Sequence, residues 1–182
     1  MRKIVAAINM TLDGFCDHTA ITPDAEIHQH YTDLLSRGDA ILYGRITYQL
    51  MEFWRSILEN PSDEKSMNDF AIAIDKIPKI VFSHSLGHVD WESSRLAEQT
   101  LQDEVLALKQ GTGKDIFVGS RSLILQLLHL GLIDELQLCI HPVVAGEGLP
   151  LFENNKMIHL QLLKHKIFKS GAVILYYEPV RG

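Results

Sequence analysis

The sequence predicts a mostly parallel α/β sheet finished by an antiparallel hairpin, and three observations carry that prediction. Short apolar runs recur and stop at a glycine or a hydroxyl residue: Ala40-Ile-Leu-Tyr43 before Gly44, Lys79-Ile-Val-Phe82 before Ser83, and Ile116-Phe-Val118 before Gly119. Runs this brief and continuous mark strands buried on both faces. Amphipathic stretches separate them, the alternation expected when helices cover a parallel sheet. Near the C-terminus, runs from Met157 to Phe168 and from Ala172 to Glu178 meet at Ser170-Gly171 and read as a hairpin.

The chain of 182 residues is expected to form a single domain, 1–182, with a continuous core. It carries 17 Lys and Arg against 23 Asp and Glu, a formal charge of −6, which argues against nucleic acid or an anionic membrane as a partner. No apolar run approaches the roughly 18 residues of a membrane span. Cys16 and Cys139 lie in unlike contexts and are expected to be free thiols, consistent with a cytoplasmic setting. The opening Met1-Arg-Lys and the short run after it do not make a signal peptide.

Ile4-Val-Ala-Ala-Ile8 is the first strand, and its alanines leave room either for a flat ring against the strand or for tight helix packing. Met10-Thr-Leu-Asp-Gly-Phe15 follows as a loop at its carboxyl end, where open α/β sheets carry ligands, and Asp13 is its carboxylate. Pro23 to Arg37 is predicted as a helix with Thr22 as N-cap, Pro23 in the first helical position and Gly38 as stop. His28 and His30, two apart on that helix, point in different directions and read as surface residues, so no metal site is expected there.

Gly44-Arg45-Ile-Thr47 repeats the strand–glycine–helix junction with a cation, and the helix continues through Tyr48, Leu50, Met51 and Phe53. An arginine sits poorly at the positive end of a helix unless an anion offsets it, so Arg45 beside the Thr47 hydroxyl points to a phosphate or pyrophosphate. Met67 to Asp75 is predicted as a helix. The strand Lys79–Phe82 then runs into Ser83-His84-Ser85, which either holds a second anionic group of the same ligand or is a plain serine turn. Trp91 to Glu98 contains a short strand, and Thr100 with Asp103 caps a helix that ends at Gly111.

Asp115-Ile-Phe-Val-Gly-Ser-Arg-Ser122 is the stretch around which the ligand reading is organised. Small residues after the strand let backbone N–H groups face an anion at the start of a helix. That helix shows an apolar stripe of Leu123, Ile124, Leu127, Leu128 and Leu130, with Ser120 or Ser122 as N-cap and Gly131 as the C′ stop. Ile133-Asp-Glu-Leu-Gln-Leu-Cys-Ile140, Pro142 and the Gly146-Glu-Gly148 turn follow. The sequence contains no GxGxxG, GxxxxGK[ST], HExxH, paired CxxC or GxSxG, so standard dinucleotide folds, P-loops, zinc hydrolases and nucleophile elbows have no support.

These segments together resemble the dihydrofolate reductase-like superfamily, in the branch similar to the reductase domain of the bifunctional riboflavin-pathway deaminase/reductase. The residues that carry the resemblance are Thr11-Leu-Asp-Gly14, Asp39 to Tyr48, Lys79 to Ser83, Ile116 to Gly119, Gly131 to Leu136, Pro142 and Gly146-Glu-Gly-Leu-Pro-Leu-Phe152. The resemblance implies a three-layer α/β/α sandwich, NADPH across the carboxyl edge of the sheet, a small heterocyclic or carbonyl substrate, and a homodimer. It implies that Ala7 contacts the nicotinamide end, and that Gly44, Arg45 and Thr47 cover the phosphates. Ser83 and its neighbour His84 approach the adenosine 2′-phosphate, while Gly119, Ser120, Arg121 and Ser122 hold the pyrophosphate. Where the family commonly has Gly-Gly, this chain has Gly119-Ser120. Asp13 is the candidate catalytic group, as substrate anchor or in proton delivery through water, or else a cap of the turn before Gly14.

Overall fold

The computed structural model describes residues 1–153 and 157–180. Its sheet contains β1 (Ile4–Thr11), β2 (Gly38–Gly44), β3 (Lys79–Phe82), β4 (Ser94–Leu96), β5 (Asp115–Val118), β6 (Glu135–His141), β7 (Leu160–Ile167) and β8 (Val173–Pro179). The order across the sheet is β4-β3-β2-β5-β1-β6-β8-β7. The pairs from β4 through β6 are parallel, whereas β8 runs antiparallel to both β6 and β7. The hairpin joining β7 to β8 turns at Gly171, as its sequence predicts.

Helices α1 (Ala25–Leu35), α2 (Arg45–Met51), α3 (Phe53–Glu59), α4 (Lys65–Lys76), α5 (Leu101–Gln110) and α6 (Arg121–His129) cover the sheet. Alternation along the strands decides which face each helix meets. Ile4, Ala6, Leu42, Ile116 and Val118 pack with Val105 of α5 and Leu123, Ile124 and Leu127 of α6. Val5, Ile41, Tyr43 and Phe117 point the other way, onto Leu34 and Leu35 of α1 and Phe70 and Ile74 of α4. The result is the three-layer α/β/α sandwich.

Several boundaries differ from the sequence expectation. Asp24, not Thr22, caps α1, because its carboxylate accepts the Ile27 amide at 2.9 Å, and Pro23 lies before the helix. The helix stops at Ser36, and Gly38 already belongs to β2. The stretch after Gly44 breaks at Glu52 into α2 and α3. His28 and His30 do diverge, as their spacing requires, yet both are buried, at 8% and 6% exposure. His28 meets Trp54 and Phe70, while His30 meets Tyr31, Phe168 and Tyr176, because α1 has neighbours on both flanks. Burial lowers the pKa of both rings, that of His30 to about 4.

Asp134 explains why the Gly131–Leu136 segment is so distinctive. Its carboxylate accepts the Ile4 amide at 2.8 Å and pairs with Lys109, while its own amide donates to the Ile4 carbonyl. One side chain thus fastens α5 and the start of β6 to the central strand.

Candidate active site

The site is built around a strand that stops early. β5 keeps register with β1 only as far as Val118 opposite Ala6, and with β2 as far as Val118 opposite Leu42. Its neighbours continue, β2 to Gly44 and β1 to Thr11, so a notch opens in the carboxyl edge with Gly119-Ser120 at its base. Exposure along β1 records it: Ile4, Val5 and Ala6 are buried, Ala7, Ile8 and Asn9 are half-open, and Met10 and Thr11 are buried again. Lys3 accepts a bond from β5 and Ile4 one from Asp134 before β6, so the odd residues of β1 direct their peptide groups toward the β5 flank. Past Ala7 no strand of the described residues stands beside them there.

Two helix starts face this notch. The Ser120 hydroxyl does not cap α6; it accepts the Gly44 amide at 2.8 Å and joins the β5–α6 and β2–α2 turns. Gly44, the N-cap of α2, provides no cap either. Among the described helices, α1 and α5 are capped by Asp24 and Thr100, and α3 and α4 start behind Glu52 and Glu64. Only α2 and α6 begin with neither a side-chain cap nor a carboxylate, which leaves their positive ends available to an anion. A Cβ at Gly44 would lie 3.4 Å from Ser122 Oγ, so these two turns are in contact.

The expected phosphate residues divide by what they already hold. Arg45 is exposed and makes one bond, to Gln49 at 3.3 Å, while Thr47 and Ser122 have no side-chain hydrogen bond among the described residues. Arg121 is committed: its guanidinium donates to the Pro150 carbonyl and to Glu153 at 2.7 Å. Ser120, 1% exposed, is occupied by Gly44. Gly119 has a packing reason, because a Cβ there would stand 2.9 Å from the buried Tyr43 ring. Ser83 accepts the Ser85 and Leu86 amides at 3.1 and 3.0 Å in a serine turn that projects the exposed His84.

Asp13 lies beyond the β1 end of the notch. It accepts the Thr11 hydroxyl at 2.6 Å and the Ala145 and Gly146 amides at 3.1 and 2.7 Å. These bonds, the Thr11 hydroxyl foremost, lower its pKa to about 2, so it is ionised at neutral pH and holds no proton to give. Around it, Leu12 donates to Val143, Cys16 to Leu149, and Leu151 to Gly14. The loop after β1 and the glycine turn of 146–152 therefore form one clasp.

One cluster was not anticipated from the sequence. Asn9 Oδ1 receives Tyr31 Oη at 3.2 Å and His141 Nε2 at 3.0 Å, and Cys139 Sγ lies 3.7 Å from the same imidazole nitrogen. It faces the α1 side of the open stretch of β1. The registers Asn9↔Cys139 and Thr11↔His141 bring these residues together, a relation that no local spacing reveals.

A family model, the RibD C-terminal domain, matches residues 2–174. The chain belongs to the RibD C-terminal domain family. It is similar to the uncharacterized protein YyaP of Bacillus subtilis (strain 168), 36% identical over 97% of this chain and 95% of that one. A Shewanella sp. PV-4 structure with a provisional place in riboflavin biosynthesis superposes at a TM-score of 0.72, with 21% identity and full coverage of both chains. RibD of Acinetobacter baumannii superposes at 0.68 with 15% identity, covering 100% of this chain and 59% of that one. These likenesses confirm the reductase-domain fold, with the antiparallel pair at its end. Among the described residues no helix is long and apolar enough to cross a membrane.

Proposed function

We propose that this protein is an NADPH-dependent reductase of a small heterocyclic or carbonyl compound, of the class of 5-amino-6-(5-phosphoribosylamino)uracil. The observation that carries the reading is the notch at the end of β5, where two uncapped helix starts and the exposed Arg45 flank an open stretch of the central strand. Anion-favouring helix ends beside a half-open strand suit a ligand with phosphates at one end and a flat ring at the other.

When bound, the nicotinamide supplies hydride to an electrophilic carbon. Arg45, Thr47, Ser122 and the first amides of α2 and α6 bind the phosphates, with Ser83 and His84 toward the 2′-phosphate. Gly119 and Ser120 shape the base of the cradle without donating side-chain bonds to it, and Arg121 stiffens the α6 start from behind. Ala7 lies against the ring end. Asp13 works by holding the clasp at the mouth of the groove, and its ionised carboxylate suits an anchoring role better than proton delivery.

The protein works as a cytoplasmic homodimer in this reading. Leu162, Leu163 and Ile167 are exposed on the outer strand β7, and sedimentation of the purified protein checks the dimer. The direct test of function is to mix protein, NADPH and candidate substrates and follow loss of the reduced-nicotinamide absorbance. Cofactor binding without turnover of 5-amino-6-(5-phosphoribosylamino)uracil, dihydrofolate or simple carbonyls would favour a non-catalytic nucleotide-binding role on this scaffold.

A further inference from the structure

The Asn9 carboxamide is held from one side only. Its oxygen takes both Tyr31 and His141, while Nδ2 has no partner among the described residues and is not among the buried unpartnered atoms. For Oδ1 to take both bonds, His141 carries its ring proton on Nε2 and Tyr31 donates its hydroxyl, and Nδ2 is then the end that points outward. Tyr31 comes from α1 and His141 from β6, so the amide is braced by two elements. His141 is 4% exposed, so its ring is not free to swing away.

Asn9 stands two residues beyond Ala7 on the same face of β1, about 6.7 Å along the strand. This is the width of a ring. With the nicotinamide beside Ala7 filling that width, a substrate ring set against it meets Nδ2, and the half-open exposure of Ile8 and Asn9 gives that ring access. A braced donor without a protein acceptor, at the wall of an open groove, discriminates strongly, because a ligand lacking the acceptor leaves it unpaired.

We propose that Asn9 is the substrate-reading residue, donating Nδ2–H to a ring carbonyl of a flat heterocycle, with Tyr31 and His141 as its positioning residues. The proposal rests on the reductase reading above, and what it adds is the residue that reads the ring. Asn9→Leu removes the donor; Asn9→Asp keeps the shape and replaces donor by acceptor. Tyr31→Phe removes only one brace.

The test is calorimetric titration of 5-amino-6-(5-phosphoribosylamino)uracil into the protein saturated with NADP+, alongside titration of NADP+ itself and a thermal melt of each variant. The expected result is a loss of probe affinity of about 10-fold or more in both Asn9 variants and about 3-fold in Tyr31→Phe, with NADP+ affinity within about twofold and cooperative melts retained. Wild-type affinity for the probe in both Asn9 variants overturns the proposal. So does a wild-type protein that binds NADP+ and not the probe, which leaves the cofactor reading standing; binding of neither defeats that reading and the proposal with it.

Discussion

The Ser120 hydroxyl accepts the Gly44 amide at 2.8 Å, and through that bond the starts of α2 and α6 are joined across the gap left by β5. The family's usual Gly-Gly has no such acceptor. In this chain the extra side chain ties the β2–α2 and β5–α6 turns together. Ser120→Ala leaves a part-buried amide unpaired and is expected to cost about 1–3 kcal/mol of stability, together with a several-fold loss of NADPH affinity. Chemical denaturation and cofactor titration measure the two effects, and an unchanged pair of values would show that the tie is idle.

The two arginines are expected to behave oppositely. Arg45 is exposed and has only Gln49 among the described residues, so Arg45→Ala is expected to weaken NADPH by about 10-fold, increasingly so at low salt, with little change in Tm. Arg121 is spent on Pro150 and Glu153, so Arg121→Ala is expected to lower Tm first. A reversed pattern in titrations and melts would exchange their roles.

Gly119 cannot serve as a clean probe of cofactor contact. Its Cβ position lies 2.9 Å from Tyr43 Cε1, and Tyr43 is 2% exposed, so Gly119→Ala is expected to destabilise the fold by about 1–3 kcal/mol. Combining it with Tyr43→Leu relieves the clash, and denaturant melts of the single and double variants measure the coupling.

How much of this was legible in sequence depends on the range of the interaction. The strands and their small-residue ends could be read because apolar runs and turn residues act locally. So could the Thr100 cap, where Oγ1 accepts the Asp103 amide at 3.2 Å. The commitments of Ser120 and Arg121, and the bonds of Asp13 to Ala145 and Gly146, could not be read, since those partners lie 76, 29, 132 and 133 residues away. The histidines of α1 show a subtler failure. Their divergence follows from helical spacing, but exposure does not follow from divergence when a helix is packed on both flanks.

Acid provides a separate test of His30. Its pKa is about 4 in the fold against 6.5 for the free side chain, so the unfolded chain takes up the proton first as pH falls. The stability from keeping it neutral is present in full above about 6.5 and is lost between 6.5 and 4, on the order of 3 kcal/mol. His30→Phe is expected to flatten the Tm profile across that window; a profile still as steep would assign the acid sensitivity elsewhere.

Asp13 titrates lower. Its pKa of about 2 against 3.8 means that the clasp is fully formed above pH 3.8 and is released as pH falls toward 2. Hydrogen exchange at the Ala145 and Gly146 amides is expected to quicken in Asp13→Ala at neutral pH. Unaltered protection there would show that the backbone bonds of the clasp suffice without the carboxylate.

The early end of β5 has a further consequence. A peptide group on β1 that lacks a neighbouring strand stays wet in the free protein, and whatever displaces that water must replace its hydrogen bonds. Grease is therefore a poor tenant of this groove, however well it fits. In the reductase reading the missing stretch of strand works as a filter, admitting rings with amide-like edges that complete the ladder and disfavouring those that merely fill the space.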